Sequence, residues 1–392
     1  MKKLIFWILA GAMLLPSCGK REESLDALTR RVFSVAASQA RDMDARLGEG
    51  ETPRTLENDG TLINDGIGWW CSGFYPGSLW YIWQYGQDPE IQALAEKHTA
   101  RLDTLIRRKT DHDIGFQINC SYGNGLSVHP EYDAYMFQCA EKLAARYDPC
   151  PSVIKSWDNP KWEYPVIIDN MMNLELLMEE ARRHNDDELK EVAYSHAMTT
   201  IQNHFRDDYS TFHLVNYSPD DGHVIGRQTV QGYADDSAWA RGQAWAIYGY
   251  TMMAREAGLA GDEEEKDIFL NQAEHIASYL LGRLPEDGIP YWDFDAPDIP
   301  AALRDASAGA IMASAFAELS GLTADKALAR KTREMALRQV RTLASPQYLA
   351  EPGTNGGFLL KHSVGNLNGP SEVDVPLTYA DYYFLEALLR LQ

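Results

Sequence analysis

Cysteine and positive charge are scarce in this 392-residue sequence, which holds 5 cysteines and sets 36 Lys+Arg against 57 Asp+Glu for a net charge of -21. No Lys/Arg run is long enough to form a phosphate-binding face, so nucleic acid is excluded as an expected partner. Cys71, Cys120, Cys139 and Cys150 show no CxxC pairing or short framework spacing, and no Cys/His pair has the spacing of zinc ligands. They read as mostly buried thiols. G-x-S-x-G, P-loop, H-E-x-x-H and EF-hand patterns are also missing, which leaves serine-hydrolase, nucleotide and zinc-protease chemistry unsupported. Asp293, Asp295 and Asp298 cluster, but Pro297 and Pro300 mark that stretch as a solvated loop in place of a calcium site. No metal and no organic cofactor is implied. What is present is 45% hydrophobic and 24% charged residues, the balance of a folded protein.

At the N-terminus Lys2 and Lys3 precede an apolar run from Leu4 to Leu15 and then Pro16-Ser17-Cys18. The run is too short for a comfortable membrane span and has the form of a signal peptide over residues 1–17. Leu15, Ser17 and Cys18 resemble a bacterial lipoprotein processing box, which predicts lipid on Cys18 and an exported, periplasmic or outer-membrane lipoprotein touching the membrane only through that anchor. A plain secretory signal cut elsewhere is the alternative. Removing residues 1–17 takes away two lysines and no acid, bringing the charge to -23.

Residues 18–28 then read as a tether and 29–392 as one domain, since no Gly/Ser linker or composition break divides them. Apolar spacing predicts helices over 25–47, 74–85, 89–108, 130–147, 170–184, 187–205, 237–257, 263–284, 307–319, 324–343 and 377–391. Convincing strands are few; residues 211–227, turning at Asp220-Asp221-Gly222, read as a β-hairpin. Eleven or twelve helices joined by long aromatic-rich loops suggest paired helices stacked side by side, and six such pairs can close into an all-α, (α/α)6 toroid. No strict repeat is visible, which weighs against a solenoid. Trp- and Tyr-rich loops ahead of the helices would line a pocket at one end.

Asp113 lies in a short turn and Asp169 follows the apolar Val166-Ile167-Ile168, so each could simply satisfy local backbone or cap a helix. The alternative for Asp169 is a carboxyl hemmed in by Ile, Met and aromatic side chains, whose raised pKa suits proton donation. His213, Gln231 and Arg241 fall in one later stretch with Trp239 and Trp245 interleaved. Residues 238–250 are apolar nearly all round, the mark of a buried helix, so Arg241 needs an anion from the protein or from a substrate carboxylate. The tryptophans, Trp70 included, are either core or surfaces for stacking sugar rings.

Together the motifs resemble glycoside hydrolase family 88, the unsaturated glucuronyl hydrolases. The matching pieces run in order from Trp70-Cys71-Ser72-Gly73-Phe74-Tyr75-Pro76-Gly77 through His112-Asp113-Ile114-Gly115-Phe116 and Ile168-Asp169-Asn170-Met171-Met172-Asn173-Leu174. His213, Gln231-Gly232-Tyr233 and Trp239-Ala240-Arg241-Gly242-Gln243-Ala244-Trp245 follow, then Asp305-Ala306-Ser307-Ala308-Gly309-Ala310, Glu372-Val373-Asp374 and Tyr379-Ala380-Asp381-Tyr382-Tyr383.

The resemblance implies a six-hairpin toroid acting on oligosaccharides that end in a Δ4,5-unsaturated uronic acid, of glycosaminoglycan type. It implies Asp169 as general acid/base, Asp113 as its essential partner, and Trp70, His213, Gln231, Trp239, Arg241 and Trp245 as sugar-binding residues. The Asp305 segment and the 361–366 loop with Ser363 would form the rim. Asp169 would protonate C4 of the enol ether and then draw a proton from the water adding at C5, while an ionised Asp113 would hold up its neighbour's pKa. The alternatives are the related unsaturated rhamnogalacturonyl hydrolase, acting on pectin fragments, and a non-catalytic glycan-binding lipoprotein.

Overall fold

All eleven of the predicted helical segments form helices, and a short twelfth one joins them, in the computed structural model, which describes residues 23–369 and 372–392. The chain runs α1 (Leu25–Arg46), α2 (Phe74–Gly86), α3 (Pro89–Ala100), α4 (Ile114–Ile118), α5 (Asp133–Ala144) and α6 (Asn170–His184). It continues through α7 (Asp187–His204), α8 (Ala240–Ala260), α9 (Glu263–Arg283), α10 (Ala306–Leu322), α11 (Lys326–Leu343) and α12 (Thr378–Arg390). Local chemistry sets many of these ends. Asp88, Asp186, Asp305 and Asp325 accept backbone N–H groups as N-caps, Pro89 opens α3, and Asn185 and Gly261 close α6 and α8 with positive φ.

Every second helix lies inside. α4, α6, α8, α10 and α12 each pack on the next, α12 returns to α2, and the short helical turns Trp70–Gly73 and Asn119–Gly123 join α2 to α4, closing a ring. α3, α5, α7, α9 and α11 back the inner helices as their hairpin partners, and α1 lies against α2 and α3. Composition separates the two layers: 17 of the 21 residues of α8 are buried, against 6 of the 21 in its partner α9. The described residues therefore form an (α/α)6 toroid. Close approach of inner helices depends on small residues; a Cβ on Gly249 would fall 2.5 Å from Met171 Cβ, and one on Gly115 2.5 Å from Asn173 Cβ.

The expected hairpin forms as β6 (Leu214–Tyr217) and β7 (Val224–Gln228), and β5 (Tyr164–Ile167) adds a third antiparallel strand beside β6. Three further hairpins escaped the sequence reading: β1 (Glu51–Leu56) with β2 (Leu62–Gly66), β3 (Tyr147–Asp148) with β4 (Val153–Ile154), and β8 (Ser363–Val364) with β9 (Val373–Val375). The tether reading to residue 28 is corrected, because α1 starts at Leu25 and buries Leu28 in the core. Residues 1–17 and Cys18 lie outside the described residues, and no described helix is long and apolar enough to cross a membrane. Cys71, Cys120 and Cys139 are buried free thiols and Cys150 is an exposed one.

Candidate active site

The unusual side chains gather where the inner helices begin. Trp70 precedes α2, Asp113 precedes α4, Asp169 precedes α6 and Arg241 sits in the first turn of α8. With Asp111, His112, Trp157, Ile167, His213, Val230 and Gln231 they line one cavity of about 190 Å³. Helix N-termini carry partial positive charge, so this end favours an anion in a protein of negative net charge.

Asp113 and Asp169 stand at N-cap positions, yet neither side chain makes a cap hydrogen bond. Both backbones are helical there, which turns the carboxyls away from the N–H groups and towards the cavity. Burial pushes the Asp169 carboxyl up to about 7, against the opposing pull of Arg241. Its Oδ2 has no hydrogen-bond partner. The indole of Trp245 beside it favours the charged form. Burial also lifts Asp113 well above the usual carboxylate range, with the charges of Asp111 and Asp169 adding to the effect. The expected coupling therefore runs the other way: the charge on Asp169 props up Asp113, and Asp169 owes its own raised pKa to burial.

Two neutral histidines face these carboxyls. The strand pair β5/β6 brings His213 beside Asp169, since Ile168 N–H donates to the His213 carbonyl at 3.0 Å. Backbone N–H groups of Val230 and Gln231 donate to His213 Nδ1 at 3.1 and 3.3 Å, so the proton sits on Nε2, 3.9 Å from Asp169 Oδ2. Burial lowers His213 to about 3. In the same way Asn173 Nδ2 donates to His112 Nδ1 at 3.2 Å, leaving His112 Nε2–H 3.4 Å from Asp113 Oδ1. Burial holds His112 well below the usual imidazole range as well.

Arg241 is 1% exposed and finds its anion in the protein, as Nη1 lies 3.3 Å from buried Asp305 Oδ2. Nη1 also donates to the Val364 carbonyl at 2.6 Å and Nη2 to the Gly365 carbonyl at 2.5 Å. The Gly365 carbonyl accepts Gln231 Nε2 at 2.9 Å, so one backbone oxygen orients two cavity side chains.

The structure gathers Trp70, Asp113, Asp169, His213, Gln231 and Arg241 on the cavity surface, but not Trp239, Trp245 or Ser363. In this structure those three are enclosed side chains that do not line the cavity. Trp239, 2% exposed, is a platform under both His213, ring centroids 4.4 Å apart, and Arg241, 4.5 Å above its ring. Trp245, fully buried, packs on Phe116 and Tyr383 because α8 is enclosed on both sides. Ser363 is buried in β8, and the Asp305 segment caps α10 beneath Arg241 instead of forming a rim. The sequence reading missed Trp157, a half-buried ring stacked on His112 at 6.1 Å. Its signal was a tryptophan in a polar loop, Ser156-Trp157-Asp158-Asn159-Pro160, with no helical face to join.

No protein-family model matches the chain. It is 42% identical over 330 residues to an unsaturated glucuronyl hydrolase of Formosa agariphila, covering 82% of this chain and 80% of that protein. An unsaturated chondroitin disaccharide hydrolase of Streptococcus pyogenes is 31% identical over 368 residues, 92% of this chain and 90% of the relative. A crystal structure of an unsaturated glucuronyl hydrolase specific for heparin superposes with a TM-score of 0.89 at 41% identity, covering 93% of this chain and 97% of that one.

Proposed function

The chain belongs to the unsaturated glucuronyl hydrolases, glycoside hydrolase family 88, and we propose that the cavity removes the terminal Δ4,5-unsaturated uronic acid from lyase-generated glycosaminoglycan fragments. The observation that carries the reading is two buried carboxyls, both raised above the usual carboxylate range, in one cavity with a buried arginine and two neutral histidines. A binding protein would have no use for that arrangement, since every raised carboxyl pKa costs stability near neutral pH. The relatives' names give no support to the pectin alternative.

The chemistry follows from the protonation states. The O–H of Asp169 donates its proton to C4 as the C4=C5 π electrons form the new C–H bond, and positive charge spreads over C5 and the ring oxygen. Water attacks C5 while the Asp169 carboxylate takes one of its protons, which restores the acid and yields a hemiketal. The hemiketal opens and releases the second sugar. Arg241, preorganised by two carbonyls and Asp305, pairs with the uronate carboxylate. His213 Nε2–H, 3.9 Å from Asp169 Oδ2, offers the sugar a hydrogen-bond donor, and the Asp113 carboxyl, whose protonated form burial favours, offers another from the same cavity. Trp70 and Trp157 supply the aromatic faces.

The test is to incubate the protein with lyase-generated disaccharides from chondroitin, hyaluronan, heparin and pectin and follow the ultraviolet absorbance of the conjugated double bond. Loss of absorbance with the glycosaminoglycan products and not with pectin is expected; absorbance that persists on all of them would refute the reading. The same proposal includes export and a lipid on Cys18, supported by the Lys2-Lys3, apolar-run and Leu15-to-Cys18 pattern. Labelling of Cys18 by a radioactive fatty acid in cells checks it, and a Cys18→Ser protein labelled equally would refute it.

A further inference from the structure

Glu372-Val373-Asp374 belongs to the set of motifs on which the resemblance rests, yet neither acid touches the cavity. Glu372 has φ +64, a left-handed backbone that glycine would adopt without strain. A glutamate held there against that preference points to its side chain as the reason. Its Oε1 accepts Arg54 Nε at 2.7 Å. The arginine is itself fixed on two further sides, with Nη1 3.3 Å from Asp65 Oδ2 and the guanidinium 4.0 Å over the Trp69 ring. The β1/β2 hairpin thus braces Glu372 from outside the ring.

On its inner side Glu372 presses on Gly365. Gly365 N–H donates to the Glu372 carbonyl at 2.7 Å, closing the β8/β9 hairpin. A Cβ on Gly365 would lie 2.4 Å from Glu372 Oε2 and 2.6 Å from Glu372 Cβ, so nothing separates the two residues. Gly365 is also the residue whose carbonyl receives both Arg241 Nη2 and Gln231 Nε2. Asn368 Nδ2 ties the same hairpin to the Val230 and Gly232 carbonyls, on either side of Gln231, at 3.1 and 2.8 Å.

We infer that Glu372, braced by Arg54, is a positioning residue for the substrate carboxylate: it seats Gly365, whose carbonyl aims Arg241 and Gln231 into the cavity. The inference rests on the proposed function, in which those two side chains hold the uronate. A clamp of this kind acts alike on bound substrate and transition state, so its loss raises KM and leaves kcat nearly unchanged.

The experiment compares Glu372→Gly, Glu372→Gln, Arg54→Met and the Arg54→Met/Glu372→Gly double variant with the wild-type protein on an unsaturated glycosaminoglycan disaccharide, recording kcat, KM and Tm. Glycine relieves the backbone at this φ, so Tm of Glu372→Gly should stay near wild type while KM rises roughly five- to tenfold and kcat stays within about twofold. Glu372→Gln, which still offers Arg54 an acceptor, should recover part of the KM. The double variant should be no worse than the poorer single one. An unchanged KM in Glu372→Gly and Arg54→Met, or kcat falling in step with Tm, would overturn the inference while leaving the function intact. Wild-type protein that leaves every disaccharide whole would overturn both.

Discussion

Exchanging Asp169 for Asn should cost activity and add stability in the same molecule. Folding carries this carboxyl from its ordinary value of 3.8 up to about 7. A shift of roughly three pH units corresponds to ~4 kcal/mol, and at 7% exposure little of it is screened by solvent. The sign follows from proton counts: between pH 4 and 7 the folded chain keeps a proton that the unfolded chain has released, so stability falls as pH rises across that window and the full penalty is present above it. Asn cannot ionise and escapes the penalty. Its amide N–H then lacks an assured acceptor, which returns about 1–3 kcal/mol and leaves a net gain of about 1–3 kcal/mol. Urea unfolding of both proteins at pH 8 and pH 4 reads the difference, which should favour Asn by about 1–3 kcal/mol at the first and reverse to favour wild type by about 1–3 kcal/mol at the second, where only the cost of the unpaired amide is left. Turnover should drop by ~10²- to 10⁴-fold at every pH. An Asp169→Asn protein less stable than wild type by the same amount at both pH values would refute the claim that burial sets this pKa.

Three other outcomes follow from the same geometry. Wild-type kcat/KM should decline above pH ~7 as Asp169 loses its proton, and a profile flat to pH 9 would contradict an acid with this environment. Arg241→Ala should raise KM steeply and also destabilise the fold by about 3–5 kcal/mol, because it leaves the buried charge of Asp305 without its cation; KM rising with an unchanged melting temperature would mean that the hydrogen bonds from Ser307 hold that charge by themselves. Trp157→Ala, which removes a half-buried ring at the cavity, should raise KM with little change in Tm, and unchanged KM would remove it from the binding surface.

Long amphipathic helices and their apolar inner counterparts were legible because burial of a whole face writes a period into the residues, and α8 against α9 shows both extremes. α4 was not legible. Five residues are too few to show a period, and this is the helix that presents Asp113. The hairpins β3/β4 and β8/β9, with strands of two or three residues, were missed for the same reason, and β1/β2 because Glu51-Thr52-Pro53-Arg54-Thr55-Leu56 holds a proline and a single large apolar residue. Asp169 and Asp113 could be named as candidates but not distinguished from helix caps. Asp305 and Asp169 both stand at a helix start, and only backbone dihedrals reveal that Asp305 caps its helix while Asp169 does not. Burial order was similarly hidden: Trp70 and Trp239 both sit ahead of inner helices, yet one faces the cavity and the other lies beneath His213 and Arg241.

Whether the proton goes to carbon is most directly read by letting the enzyme turn over an unsaturated disaccharide in D₂O and examining the released uronate by NMR. Delivery from Asp169, fixed on one side of the ring, places a single deuterium on one face of C4, and the ultraviolet absorbance disappears in step with the release of the second sugar. An unsaturated monosaccharide that accumulates with its absorbance intact, or deuterium divided equally between the two faces of C4, would show that the glycosidic bond is broken without the enzyme protonating C4.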